Sequence, residues 1–160
     1  MNKPGNSQEA VSLETARTSL TTLWLLGSGV PFLVVVVQSM LGKYGDKLQQ
    51  IWSWFLPTVL PTVLLMLGVL ASGAFLDSAE DRLVKASFLR LAKGLSYFYL
   101  GILLLTLLIQ PFVNSDKTSA VQLYLESNYW LGPLQGVVAG VIGVLFTTQH
   151  SKRPSSQVDR

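Results

Sequence analysis

Asp, Glu, Lys and Arg are missing from four long stretches of this chain: 18–42, 48–76, 94–115 and 127–151. The stretches hold 25, 29, 22 and 25 residues and are rich in Leu, Val and Phe. A helix needs roughly 20 predominantly apolar residues to cross a bilayer. Hydrocarbon offers no water to bare N–H and C=O groups, so a spanning segment must pair them within itself. The predicted fold is therefore all-α: an integral membrane four-helix bundle with spans at about 18–42, 50–76, 94–113 and 128–149. Residues 1–17 are read as an N-terminal tail and 152–160 as a C-terminal tail, both polar and disordered near their ends.

This reading leaves room for one domain only. The tails and loops outside the four stretches hold 59 residues, and the longest loop has 17. Chains below about 40 residues rarely build a core unaided. A catalytic domain outside the membrane is excluded by length. The chain has no cysteine, which removes disulfides, thiolate chemistry and Cys-ligated metals. Its one histidine, His150, cannot make a His-rich site. Residues 1–17 do not read as a cleavable signal, because the apolar stretch after them exceeds an h-region of about 7–15 residues.

Charge sets the expected threading. Nine of the twelve Lys and Arg lie in the N-tail (Lys3, Arg17), the loop between spans 2 and 3 (Arg82, Lys85, Arg90, Lys93) and the C-tail (Lys152, Arg153, Arg160). Lys43, Lys47 and Lys117 make up the other three. Short loops rich in Lys and Arg stay in the cytoplasm. Both termini are expected there, in a plasma membrane or bacterial inner membrane. The net charge of +3 is thus read as orientation, not as nucleic-acid binding. Tyr44, Trp52, Trp54, Tyr97, Tyr99, Tyr124, Tyr129 and Trp130 flank the spans and are expected at headgroup level, with Trp24 a deeper case.

Residues 77–93 read as a short amphipathic connector helix on the cytoplasmic side, lying on the membrane or running straight into span 3. Ser78 and Asp81 fit a capping box, and Val84, Phe88, Leu91 and Leu95 fall on one face. Its basic residues Arg82, Lys85, Arg90 and Lys93 are candidates for docking a cytosolic partner. Asp77, Glu80 and Asp81 suit a helix start better than a metal site. Residues 119–126 suggest a second short helix at the opposite surface. No internal repeat is evident.

Three features inside the spans remain. Gly132, Gly136 and Gly140 recur at spacing four, with Gly143 a turn further on. Such a face lets another helix backbone approach closely, where lipid itself is as apolar as leucine. Gly68 and Ser72 in span 2 form a small-xxx-small pair able to receive it. Pro57 and Pro61, each followed by threonine (Thr58, Thr62), remove two backbone donors and predict a kink or hinge. Their freed carbonyls need a hydroxyl or water. Gln38, Gln110 and Gln135 are the polar intramembrane candidates, and Gln110 with Gln135 could bond across helices. None is ionisable, whereas pumps and relays rely on intramembrane charge.

No phosphate loop, nucleophile elbow or paired-metal spacing occurs. Neither a catalytic residue nor a cofactor nor a metal is expected. The expected function is a non-enzymatic membrane component that packs its helices with copies of itself or with a membrane or cytosolic protein. An oligomeric pore or permeabilising effector, gated by a cytosolic partner, is the alternative, and a small transporter the next.

Overall fold

The computed structural model describes residues 10–75, 83–109, 112 and 120–147. Four long helices pack against one another: α1 (Leu13–Met40), α2 (Leu48–Phe75), α3 (Ala86–Ile109) and α4 (Ala120–Thr147). All four are long and apolar enough to cross a membrane. Two three-residue strands, β1 (Ala10–Ser12) and β2 (Leu83–Lys85), lead directly into α1 and α3. They pair antiparallel with Val11 opposite Val84. The sheet brings the first turns of α1 and α3 to the same end of the bundle, called here the sheet end.

Around the bundle the order is α1, α2, α4, α3. Each helix packs on two neighbours: α1 on α2 and α3, and α4 on α2 and α3. Two helical hairpins, α1–α2 and α3–α4, thus lie side by side. The interior is filled by Leu20, Trp24, Ile51, Phe55, Met66, Tyr99, Leu103, Tyr124 and Ile142, all essentially inaccessible. The outside is equally apolar. Leu26, Leu33, Leu64, Phe98, Leu105 and Val144 are each more than half exposed. Water would not tolerate such a belt in a soluble protein, and hydrocarbon does.

Helix ends follow local chemistry rather than the edges of the uncharged stretches. Helix α1 starts at Leu13, five residues before the first such stretch and inside the expected tail. Ser12 caps it, its Oγ accepting the Thr15 N–H at 3.2 Å, and Glu14 sits in the first turn, where the helix dipole favours an acid. At the other end Gly42 adopts φ +67°. The Lys43 N–H then reaches Gln38 O at 3.1 Å and the Gly42 N–H reaches Ser39 O at 3.0 Å. These two bonds are a Schellman closure, which pairs carbonyls that the helix end would leave bare. Gly45, at φ +51°, opens the single 3-10 turn Gly45–Lys47 that starts α2.

The loop between α2 and α3 departs from the sequence reading. Residues 83–85 are a strand, not part of a separate connector helix, and the helix from Ala86 is α3 itself. Its buried face is Ala86, Leu89, Ala92, Ser96, Tyr99 and Leu103, while Leu91 of the expected face is half exposed. Three residues of Leu-Val-Lys cannot announce a strand by periodicity. Their partner, Ala10–Ser12, lies more than seventy residues away. The capping box at Ser78 and the acids Asp77, Glu80 and Asp81 lie outside the described residues. The expected short helix at 119–126 is instead continuous with α4, which starts at Ala120.

The closure at Gly42 yields a test. A β-branched side chain in the left-handed region costs roughly 1–2 kcal/mol. Gly42→Val is expected to lower thermal stability by about that amount. Gly29→Ala, in regular helix with open space around the added methyl, is expected to leave stability unchanged or raise it.

Candidate functional site

Helix α2 holds the chain's main departure from regular backbone pairing. Its run Trp54-Phe-Leu-Pro57-Thr-Val-Leu-Pro61-Thr62 places two prolines four residues apart, both within the helix. Pro61 has no N–H to give the Pro57 carbonyl, and Pro57 has none for Ser53. The Pro57 carbonyl is answered from another helix: Gln135 Nε2 of α4 donates to it at 3.2 Å. One residue on, the Tyr99 hydroxyl of α3 donates to the Thr58 carbonyl at 2.6 Å. The Pro57–Pro61 segment of α2 is therefore tied to both helices of the other hairpin.

The threonines do not perform the task that their position suggests. Thr58 Oγ1 donates back to its own helix, to Trp54 O at 2.6 Å. The Thr62 hydroxyl is buried with no hydrogen-bond partner among the described residues. Gln110, the expected partner of Gln135, lies outside the described residues. Gln38 serves the α1–α2 turn, where its Oε1 accepts from the Tyr44 hydroxyl. Burial raises the Tyr44 pKa above 10, and the neighbouring Tyr124 hydroxyl pulls it down in part.

Two aromatic clasps join the hairpins. Between α1 and α3, Trp24 Nε1 donates to Ser96 Oγ at 3.0 Å, and Ser96 donates to Ala92 O at 2.8 Å. The Trp24 ring lies against Tyr99, with centroids 5.7 Å apart. Between α2 and α4, Trp54 Nε1 donates to Ser127 Oγ at 3.0 Å, and Ser127 donates to Tyr124 O at 2.6 Å. Trp54 stacks on Tyr124 with centroids 4.7 Å apart and planes 25° apart. Each indole N–H meets a serine whose own proton goes to its helix, so the buried donors are used in series. Beyond Trp54, away from the sheet end, a cleft of about 260 Å³ opens between α2 and α4, lined by Gln49, Gln50, Ser53, Trp54, Leu125 and Asn128.

Residues singled out from the sequence divide sharply. Gly132, Gly136 and Gly140 are exposed, and a Cβ built on each would meet nothing within 4 Å. Gly143 is half-buried with the same open space. Helix α4 packs inside the chain through Leu131, Val138, Ile142 and Leu145 instead. Gly68 is also exposed and open, so α4 is not seated on it, and the Ser72 side chain lies outside the described residues. Lys85 and Arg90 are exposed, Lys93 is half-buried and Arg82 is outside the described residues.

The aromatic residues are the main surprise. Tyr44, Trp54, Tyr99 and Tyr124 are buried in the protein, and Trp24 is the largest fully buried side chain. Tyr97, Tyr129 and Trp130 are exposed, as membrane-interface residues would be. The missed signal was the spacing of small hydroxyls: Ser96 and Tyr99, and Tyr124 and Ser127, lie three apart on one helix face.

The fold thus defines a polytopic helical membrane protein, with a polar line running through its α2–α4 contact. Comparison with known proteins finds no matching family, no significantly similar curated protein and no significantly similar solved structure. Among the described residues no three His, Cys, Asp or Glu side chains gather as metal ligands.

Hydrogen bonds inside membrane proteins average about 0.6 kcal/mol, but a buried donor left unmet costs roughly 1–3 kcal/mol. Ser127→Ala strands the Trp54 indole N–H and is expected to cost about 1 kcal/mol or more in steric-trapping or thermal unfolding. Trp54→Phe with Ser127→Ala should cost less than the sum of the two single changes. Strict additivity would show that the bond contributes nothing.

Proposed function

We propose that this chain is a non-enzymatic membrane subunit that docks one further helix on the glycine face of α4, first of all from a second copy of itself. The carrying observation is that open face. Gly132, Gly136 and Gly140 line it without a neighbour, although glycine in a helix interior is disfavoured by about 0.5–1 kcal/mol against alanine. Supporting this, α4 is the least covered span: 22% of its apolar window is buried, against 33–39% for the other three. A smooth backbone groove without side chains gives a helix in lipid the close contact that hydrophobicity cannot supply there. The membrane subunit of a complex with another protein would use the same face.

A second reading is an oligomeric pore or membrane-permeabilising effector, gated by a cytosolic partner at Arg82, Lys85, Arg90 and Lys93. The polar line of Gln49, Gln50, Ser53, Asn128 and Gln135 favours it, because a water path needs such groups. A small transporter fits less well, since the four uncharged stretches offer no carboxylate or Arg for coupling. In every reading the bundle supplies packing and hydrogen bonds, and catalysis is not part of the proposal. The nine-to-three division of Lys and Arg supports both termini in the cytoplasm of a plasma membrane or bacterial inner membrane.

Two measurements test this. In lipid nanodiscs, Gly136→Leu is expected to leave thermal unfolding within about 0.5 kcal/mol of wild type, since its side chain enters open space. The same change should reduce the assembly to single chains by mass photometry or crosslinking. An unchanged oligomer size would sink the docking reading. For orientation, reporters fused near Asn2 and Arg160 should both signal from the cytoplasm, and one near Lys117 from outside. An external signal from either terminus reverses the assignment.

A further inference from the structure

The contact between α2 and α4 is polar at three successive levels. Farthest from the sheet end is the cleft with Gln49, Gln50, Ser53 and Asn128. Next comes the Trp54–Ser127 bond, and then the Gln135–Pro57 bond. Along the same stretch the prolines withhold helical donors from two carbonyls, Ser53 at the cleft and Pro57 one turn deeper. The two ties that meet the kink differ. The Tyr99 hydroxyl, fully buried, holds Thr58 O at 2.6 Å. Gln135 is only half-buried and holds Pro57 O at 3.2 Å. A water arriving from the cleft could take the place of the Gln135 amide at Pro57 O.

We propose that α2 is a hinge bent at Pro57–Pro61, with Tyr99 as its fixed pivot and Gln135 as a releasable strap. Release lets residues 62–75 swing away from α4 and lets water follow the polar contact inward from the cleft. The hinge does not depend on a docked partner. It acts within one chain and stands or falls separately from the glycine-face reading.

The chain has no cysteine, so introduced pairs take spin labels without background. Leu70→Cys on α2 and Leu91→Cys on α3 are both exposed positions toward the sheet end. Leu70 lies nine residues past Pro61, roughly 14 Å along the helix, so a kink change of about 20° moves it by roughly 5 Å. In nanodiscs the wild-type pair is expected to give one main distance. Gln135→Leu is expected to add a second population displaced by roughly 5 Å. Pro61→Ala returns a backbone donor to Pro57 O. In that background Gln135→Leu is expected to be silent, and Pro61→Ala alone should give a narrower distribution than wild type. The proposal is overturned if Gln135→Leu lowers stability without a second distance, because Gln135 is then a static tie. It is equally overturned if the second distance persists with Pro61→Ala. Should Gln135→Leu fail to fold, Pro61→Ala alone decides: an unchanged or broader distribution defeats the hinge.

Discussion

A carbonyl in hydrocarbon must find a donor, and α2 has surrendered the donors that a regular helix would provide. Pro57 and Pro61 remove two N–H groups within one turn of each other. In water a hydration shell would absorb the loss. In a bilayer the replacement has to come from protein. The Gln135 amide supplies it at the Pro57 carbonyl, and the Tyr99 hydroxyl adds a bond at the adjacent Thr58 carbonyl. Both belong to the α3–α4 hairpin, so the defect in one hairpin becomes the bond that holds the other. The same logic explains why the two tryptophans sit inside. An indole N–H is a donor without acceptor capacity, and each buried one is matched to a serine on the neighbouring hairpin.

These polar ties matter more here than in a soluble bundle. Apolar packing drives helices together in water because it removes surface from water. Lipid removes that advantage, leaving van der Waals fit and hydrogen bonds. Inside the chain, fit is provided by large side chains such as Trp24, Phe55, Tyr99 and Tyr124. The glycines of α4 take no part in that fit: a Cβ at Gly132, Gly136 or Gly140 would meet nothing within 4 Å among the described residues.

The number and approximate placement of the helices were legible because absence of charge over 22 residues or more has few other meanings. Their ends were not. Leu13 and Ala120 start helices well outside the uncharged stretches, since a cap such as Ser12 acts locally and charged residues propagate a helix as well as apolar ones. The strand at 83–85 was illegible for another reason: three residues carry no period, and pairing with 10–12 is a tertiary fact. The missing donors at Pro57 and Pro61 could be read, but not the partner that answers the Pro57 carbonyl. Thr58 and Thr62 were the near candidates by sequence, whereas Gln135 lies 78 residues from Pro57. The Trp54–Tyr124 clasp was not legible, because amphipathic rings near span ends fit a membrane interface as well as a buried contact.

The glycine face that the sequence marks and the polar α2–α4 contact that the structure shows meet on α4. Gln135 stands between Gly132 and Gly136 in the sequence, yet its amide turns inward to Pro57 while the glycines face outward. One turn of helix therefore carries an open packing surface on one side and the tie to the α2 kink on the other. Pro133 lies in the same turn and cannot donate to the carbonyl four residues before it, so α4 is itself less rigid there than a regular helix. A helix pressed against Gly132 and Gly136 would bear on the segment that positions Gln135. No long chain of coupled residues would be needed, because the contact surface and the strap belong to the same short length of backbone.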